Sequence, residues 1–79
     1  MTSTPSAPVI RLRDDALVKW AERQGLPSET AVAERIGIGQ PTLNRIRRGE
    51  VAPGEKFIAA VLSATGAKFE RFFEIAEAS

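Results

Sequence analysis

The run "ERIGIGQPTLNRIRRGE", Glu34 to Glu50, sets two glycines two residues apart, a proline close behind them and three arginines within four residues. Gly37 suits the position just past a helix end, where a positive φ is needed and glycine carries no Cβ penalty. Pro41 suits the first turn of a following helix, where a missing N–H costs little. The stretch therefore reads as one helix ending, a very short connection, and a second helix running from after Gly39 to about Arg48, stopped by Gly49. Leu43 and Ile46, three residues apart, mark its inward face.

Working outward, "LPSETAVAERIG" supplies the preceding helix. Ser28 is a good N-cap, and Val32, Ala33 and Ile36 form a buried stripe. Further upstream, Asp14 to about Gln24 forms a first helix. Its two leading aspartates suit a helix N-terminus, Leu17, Trp20 and Ala21 share a face, and Gly25 ends it. Downstream, Glu55 to Thr65 presents Ile58, Val61, Leu62 and Thr65 inward, with Phe57 beside them, up to Gly66. A fifth helix is expected from about Lys68 to Ala78, because Phe69, Phe72, Phe73 and Ala76 recur at helical spacing. "VIRLR", residues 9–13, alternates too briefly to choose between an extended arm and the lead-in to the first helix. Residues 1–8, small, polar and proline-rich, are expected to be a disordered tail. The expected architecture is all-α: five short helices in one domain over residues 9–79, with no strand ladder.

Composition narrows the chemistry. At 79 residues the chain holds one modest core. It has no cysteine and no histidine, which removes disulfides, thiolate metal sites, cysteine nucleophiles and histidine acid–base catalysis. "GIGQP" is too short for a phosphate-binding loop and lacks the Lys-Ser/Thr that would follow. Neither enzymatic activity, a metal nor a cofactor is expected. No apolar run approaches the roughly 20 residues of a membrane span, and the N-terminus lacks signal-peptide form. A cytoplasmic protein is expected. Net charge is +1, but residues 35–56 carry five basic against two acidic side chains, while both flanks are slightly acidic. Positive charge thus concentrates around the opening stretch.

Two helices joined by about three residues including a glycine have the form of a helix-turn-helix. Small Ala33 allows close backbone approach, Gly37 makes the turn, and Leu43 and Ile46 lock the second helix onto the first. With these residues in view, Ser28 to Phe73 resembles the lambda-repressor-like (Cro/repressor-type, XRE) helix-turn-helix domain. The likeness rests on "SETAVAERIGIGQPTLNRIRRG", the loop residue Pro53, the helix ending at Gly66, and "FERFF". It implies a compact five-helix domain with helix-turn-helix at helices two and three. Four positions depart from the family pattern. Gly39 stands where serine often caps the recognition helix, and Glu29 where a phosphate-contacting glutamine is common. Arg47 stands where a glutamate is usual, and Pro27 lengthens the preceding loop.

The resemblance implies a sequence-specific, DNA-binding transcriptional regulator. Its expected form is a phage- or plasmid-type repressor, dimeric on a palindromic operator and reading the major groove. With Leu43 and Ile46 inward, the outer arc of the third helix carries Pro41, Asn44, Arg45 and Arg48, with Gln40 and Thr42 at its margins; Gln40, Pro41, Thr42, Asn44 and Arg45 are the base-reading candidates. Gln40 and Asn44 match an adenine edge, Arg45 a guanine edge, Thr42 a thymine methyl or a phosphate, and Pro41 apolar contact. Ser28, Arg47 and Arg48 are the phosphate candidates, with an ion pair as the other reading of Arg47. Arg11 and Arg13 belong either to an arm along the DNA backbone or to an uninvolved tail. Phe73 and Ile75 are candidates for the dimer surface. Expected partners are double-stranded DNA, a second copy, and a protein such as RNA polymerase or a toxin-like partner. The alternative is a protein-interaction module, an antitoxin or adaptor built on the same fold, to which the modest net charge and Glu29 lend weight.

Overall fold

The helix boundaries follow local chemistry closely. In the computed structural model, which describes residues 8–77, α1 spans Asp14–Arg23 and α2 spans Glu29–Ile36. The Ser28 hydroxyl oxygen accepts the Ala31 N–H at 3.1 Å, capping α2 as its position suggests. Gly37 ends α2 at φ 89°, and its N–H donates to the Ala33 carbonyl at 2.8 Å. Only Ile38 and Gly39 then intervene before α3, Gln40–Arg47, with Pro41 in its first turn. A longer loop, which Pro53 enters as a buried residue, leads to α4, Glu55–Thr65.

One core joins these elements. Leu17 and Trp20 from α1, Val32, Ala33 and Ile36 from α2, Leu43 and Ile46 from α3, and Phe57 and Val61 from α4 are all buried. Leu43 and Val61 are fully excluded from solvent. Each stripe lies at the three- and four-residue spacing that places side chains on one helical face. Burial of these side chains is the main force holding α3, since that helix has only eight residues and no side-chain cap.

The end of the chain departs from the all-α expectation. The fifth helix, α5, is a single turn, Phe69–Phe72. Backbone angles become extended at Phe73 (φ −134°, ψ 155°), and Phe73–Glu77 is a strand, β2. It pairs antiparallel with β1, Pro8–Leu12, in a register running from Pro8 opposite Glu77 to Leu12 opposite Phe73. The fold is therefore mostly helical with a two-stranded ribbon, rather than all-α. In "VIRLR", residues 9–12 belong to the paired strand β1 and Arg13 is the N-cap residue of α1. Of the tail expected over residues 1–8, Pro8 opens β1 and the rest lies outside the described residues.

Arg13 fixes the corner where α5 becomes β2. Its N–H donates to the Phe72 carbonyl at 2.7 Å. Its Nε donates to the carbonyls of Glu70 and Phe73 at 3.2 and 3.4 Å, and its guanidinium lies 3.5 Å from the Glu74 carboxylate. These contacts satisfy carbonyls freed by the helix end. Phe73, grouped above with Ile75 at a partner surface, is instead part of the core at 1 % exposure, and only Ile75 projects, at 63 %. Phe73 meets Phe57 edge-on, with ring centres 6.1 Å apart, and stacks on Phe69 at 5.2 Å. The other aromatic stripes behave as expected: Trp20, Phe57 and Phe72 are buried and Phe69 is half-buried against them.

Candidate nucleic-acid interface

Leu43 and Ile46 turn α3 so that its remaining side chains divide between two sectors. Pro41, Thr42, Arg45 and Arg48 are exposed, whereas Gln40, Asn44 and Arg47 are partly covered. The second group, spaced four and three residues apart, forms one stripe along α3. That stripe faces Glu29, in the first turn of α2.

Glu29 gathers all three. Gln40 donates its side-chain N–H to Oε1 of Glu29. Asn44 Nδ2 lies 3.2 Å from Oε1 and 3.4 Å from Oε2. Arg47 donates from a terminal nitrogen to Oε2 at 3.0 Å. The same guanidinium grips Asp14 on α1, with Nε at 2.6 Å and the other terminal nitrogen at 3.1 Å, in a fork-to-fork pair. Arg47 thus ties the C-terminal end of α3 to the starts of α1 and α2.

Burial opposes ionisation of Glu29. The hydrogen bonds from Gln40 and Asn44, the attraction of Arg47 and its hydrogen bond outweigh it and hold the carboxyl below its ordinary range. Arg47 is held above its ordinary range, chiefly by its hydrogen bond to Asp14. Both groups are therefore charged at neutral pH. Of the two roles set out for Arg47, an ion pair is the one present, and it occupies much of the guanidinium. Two of the four departures from the family pattern are thereby linked, since Glu29 and Arg47 complement each other.

The remaining candidates are arranged differently. Arg45 is exposed and has no ion-pair partner among the described residues. Arg48 is exposed at the end of α3 and lies 3.1 Å from Glu50, with both side chains open to solvent, a pair easily exchanged for another anion. The Ser28 oxygen is used as a cap acceptor, leaving its O–H to donate elsewhere. Gly39, at φ −63°, needs no glycine, so its departure from serine removes a cap without straining the turn. Pro27 lies before the Ser28 cap and leaves α2 intact. Asp14 and Glu29 did not emerge from sequence as organisers of this face. The legible signal was the paired change of charge at positions 29 and 47, visible only if the two are considered together.

A short, core-anchored helix presenting amide, hydroxyl and guanidinium groups beside a capped helix N-terminus belongs to a class of small nucleic-acid-binding domains. A family model described as helix-turn-helix matches residues 17–72. The chain belongs to this lambda-repressor-like, XRE-type helix-turn-helix family, which comprises DNA-binding regulators. No curated protein and no solved structure matched the chain. Among the described residues, no helix is long and apolar enough to cross a membrane.

Proposed function

We propose that α2, the turn at Gly37–Gly39 and α3 form the DNA-binding helix-turn-helix, with α3 entering the major groove. The observation that carries this reading is Arg45, an exposed guanidinium with no ion-pair partner among the described residues, on the outer face of a helix whose inner face is fixed by Leu43 and Ile46. Arg45 is assigned to guanine O6 and N7, Gln40 and Asn44 to base-edge hydrogen bonds, Thr42 and Pro41 to close contact with thymine methyls. Arg48 and the Ser28 hydroxyl are assigned to phosphate, aided by the positive end of α2. The protein then acts as a repressor: an occupied operator excludes polymerase.

Selection of bound sequences from random duplex DNA tests the assignment. Wild-type protein should enrich one motif, and Gln40→Ala should lose preference at a single position in each half of it. An unchanged motif in Gln40→Ala would remove that residue from the reading face.

One such module contacts few base pairs, and two-fold pairing supplies the missing affinity. The edge of β2 away from β1, unpaired among the described residues, supports a dimer. Because Arg13 N–H bonds Phe72 one step beyond the ladder, the bonded pairs within it are Arg11 with Glu74 and Val9 with Ala76. The N–H and C=O of Ile75 therefore point to the open edge. Antiparallel pairing with a second copy, centred on Ile75, covers that exposed side chain and sets Glu74 opposite the second copy's Ala76, so no like charges oppose. Ile75→Glu should halve the sedimenting mass and keep a cooperative unfolding transition, whose melting temperature no longer depends on protein concentration. Equal masses for the two proteins would count against this edge.

A further inference from the structure

The stripe formed by Gln40, Asn44 and Arg47 meets a carboxylate that is not on α3 at all. Glu29 is ionised near neutral pH and can only accept hydrogen bonds. The groups that Gln40 and Asn44 turn toward it must then be their NH₂ ends. Their carbonyl oxygens consequently point away. A free glutamine or asparagine reads a base edge in either order, because its terminal amide can flip. Here the flip would bring a carbonyl oxygen against a carboxylate oxygen. Arg47, itself held by Asp14, anchors the carboxylate from the other side.

Resting on the DNA-binding reading above, we propose that Glu29 is a specificity-determining residue that fixes the amide order of Gln40 and Asn44 before DNA is met. With carbonyl oxygens outward, these two positions favour a base edge that offers a donor, adenine N6 or cytosine N4. They disfavour guanine, whose major-groove edge presents two acceptors. The second N–H of each amide is still available, so an adenine edge can be met by both halves of the group. Glu29 acts through the two amides and touches no base itself. An acid in this place is costly near phosphate, and its return is discrimination rather than affinity.

Glu29→Gln keeps the shape but can donate as well as accept, so it releases the amide order. In sequence selection, the preference against guanine at the positions facing Gln40 and Asn44 should fall about tenfold, while overall affinity holds or rises. In the Gln40→Ala, Asn44→Ala background the same change should leave the motif alone. Side-chain amide NMR signals of Gln40 and Asn44 in the free protein should shift in Glu29→Gln, reporting the contact without DNA. Should Glu29→Gln fail to fold by thermal denaturation, Glu29→Asp serves instead, because its carboxylate is withdrawn by one methylene. A wild-type motif that persists unchanged in the position-29 variant overturns the role of Glu29 and leaves the DNA-binding reading standing. A wild-type protein that selects no motif overturns both.

Discussion

Phe73→Ala is expected to remove much of the protein's stability and bring its unfolding midpoint close to room temperature. The ring is almost wholly buried, and it contacts Phe57 and Phe69 at the junction of α5 and β2. Removing a buried phenylalanine costs about 3–5 kcal/mol through lost burial and the cavity left behind. A domain of this size has about 4–12 kcal/mol of stability in all. Small cores without disulfides lie at the lower end of that range. The corresponding fall in melting temperature is about 15–30 °C, readable by circular dichroism. Phe73→Leu, which keeps most of the apolar volume, should retain a cooperative transition. A Phe73→Ala protein that melts within a few degrees of wild type but changes its sedimenting mass would return Phe73 to an interface.

Arg45→Ala is expected to weaken binding to the selected operator about 10- to 100-fold per half-site. For a dimer engaging both half-sites the losses multiply. Three cations lie along the end of α3, and their surroundings separate them. Arg47 is occupied by Asp14 and Glu29, Arg48 shares a solvent-open pair with Glu50, and Arg45 is unpaired among the described residues. Truncating Arg45 should therefore erase discrimination at one base pair while changing affinity for random duplex little. Arg48→Ala should do the reverse: it should weaken all sequences alike and reduce the slope of log affinity against log salt by about one per protomer. Titrations of operator and random duplex at several salt concentrations distinguish the two patterns. If Arg45→Ala lowers both affinities equally, Arg45 meets phosphate and the base-reading assignment is wrong.

The helical portion was legible because its determinants are local. Ser28 caps α2, Gly37 takes the positive φ, and Leu43 and Ile46 repeat at one face, all within a window of some twenty residues. The C-terminal segment was not legible for an equally physical reason. Phe69, Phe72, Phe73 and Ala76 fit a period near 3.6, and the only sign of a period of 2 is Phe73 and Ile75 separated by Glu74. What decides between them is β1 and the Arg13 side chain, which lie far away in sequence and outside any local pattern. At the candidate interface, angle alone assigned Arg45 to the open sector. It did not disclose that Gln40 and Asn44 are held by Glu29, because that contact depends on how α2 and α3 dock. Position within α3 alone leaves Arg47 between ion pair and phosphate; its partner, Asp14, lies on α1.

The ribbon also has a kinetic consequence. Each rung of the β1–β2 ladder closes a loop of about 60–70 residues, whereas the α2–α3 connection closes over three. The helical contacts are quick to form because little chain entropy stands against them, while the ladder must wait for two distant segments to meet. Assembly therefore divides into an early step that builds the α2–turn–α3 unit and a late one that zips the strands and seats Phe73 in place. On the way out, the same division operates in reverse. The strands are the natural place for partial opening, and an open ribbon would release Ile75 and the Phe73 ring together, pairing the loss of the proposed second copy with the loss of the core's last aromatic.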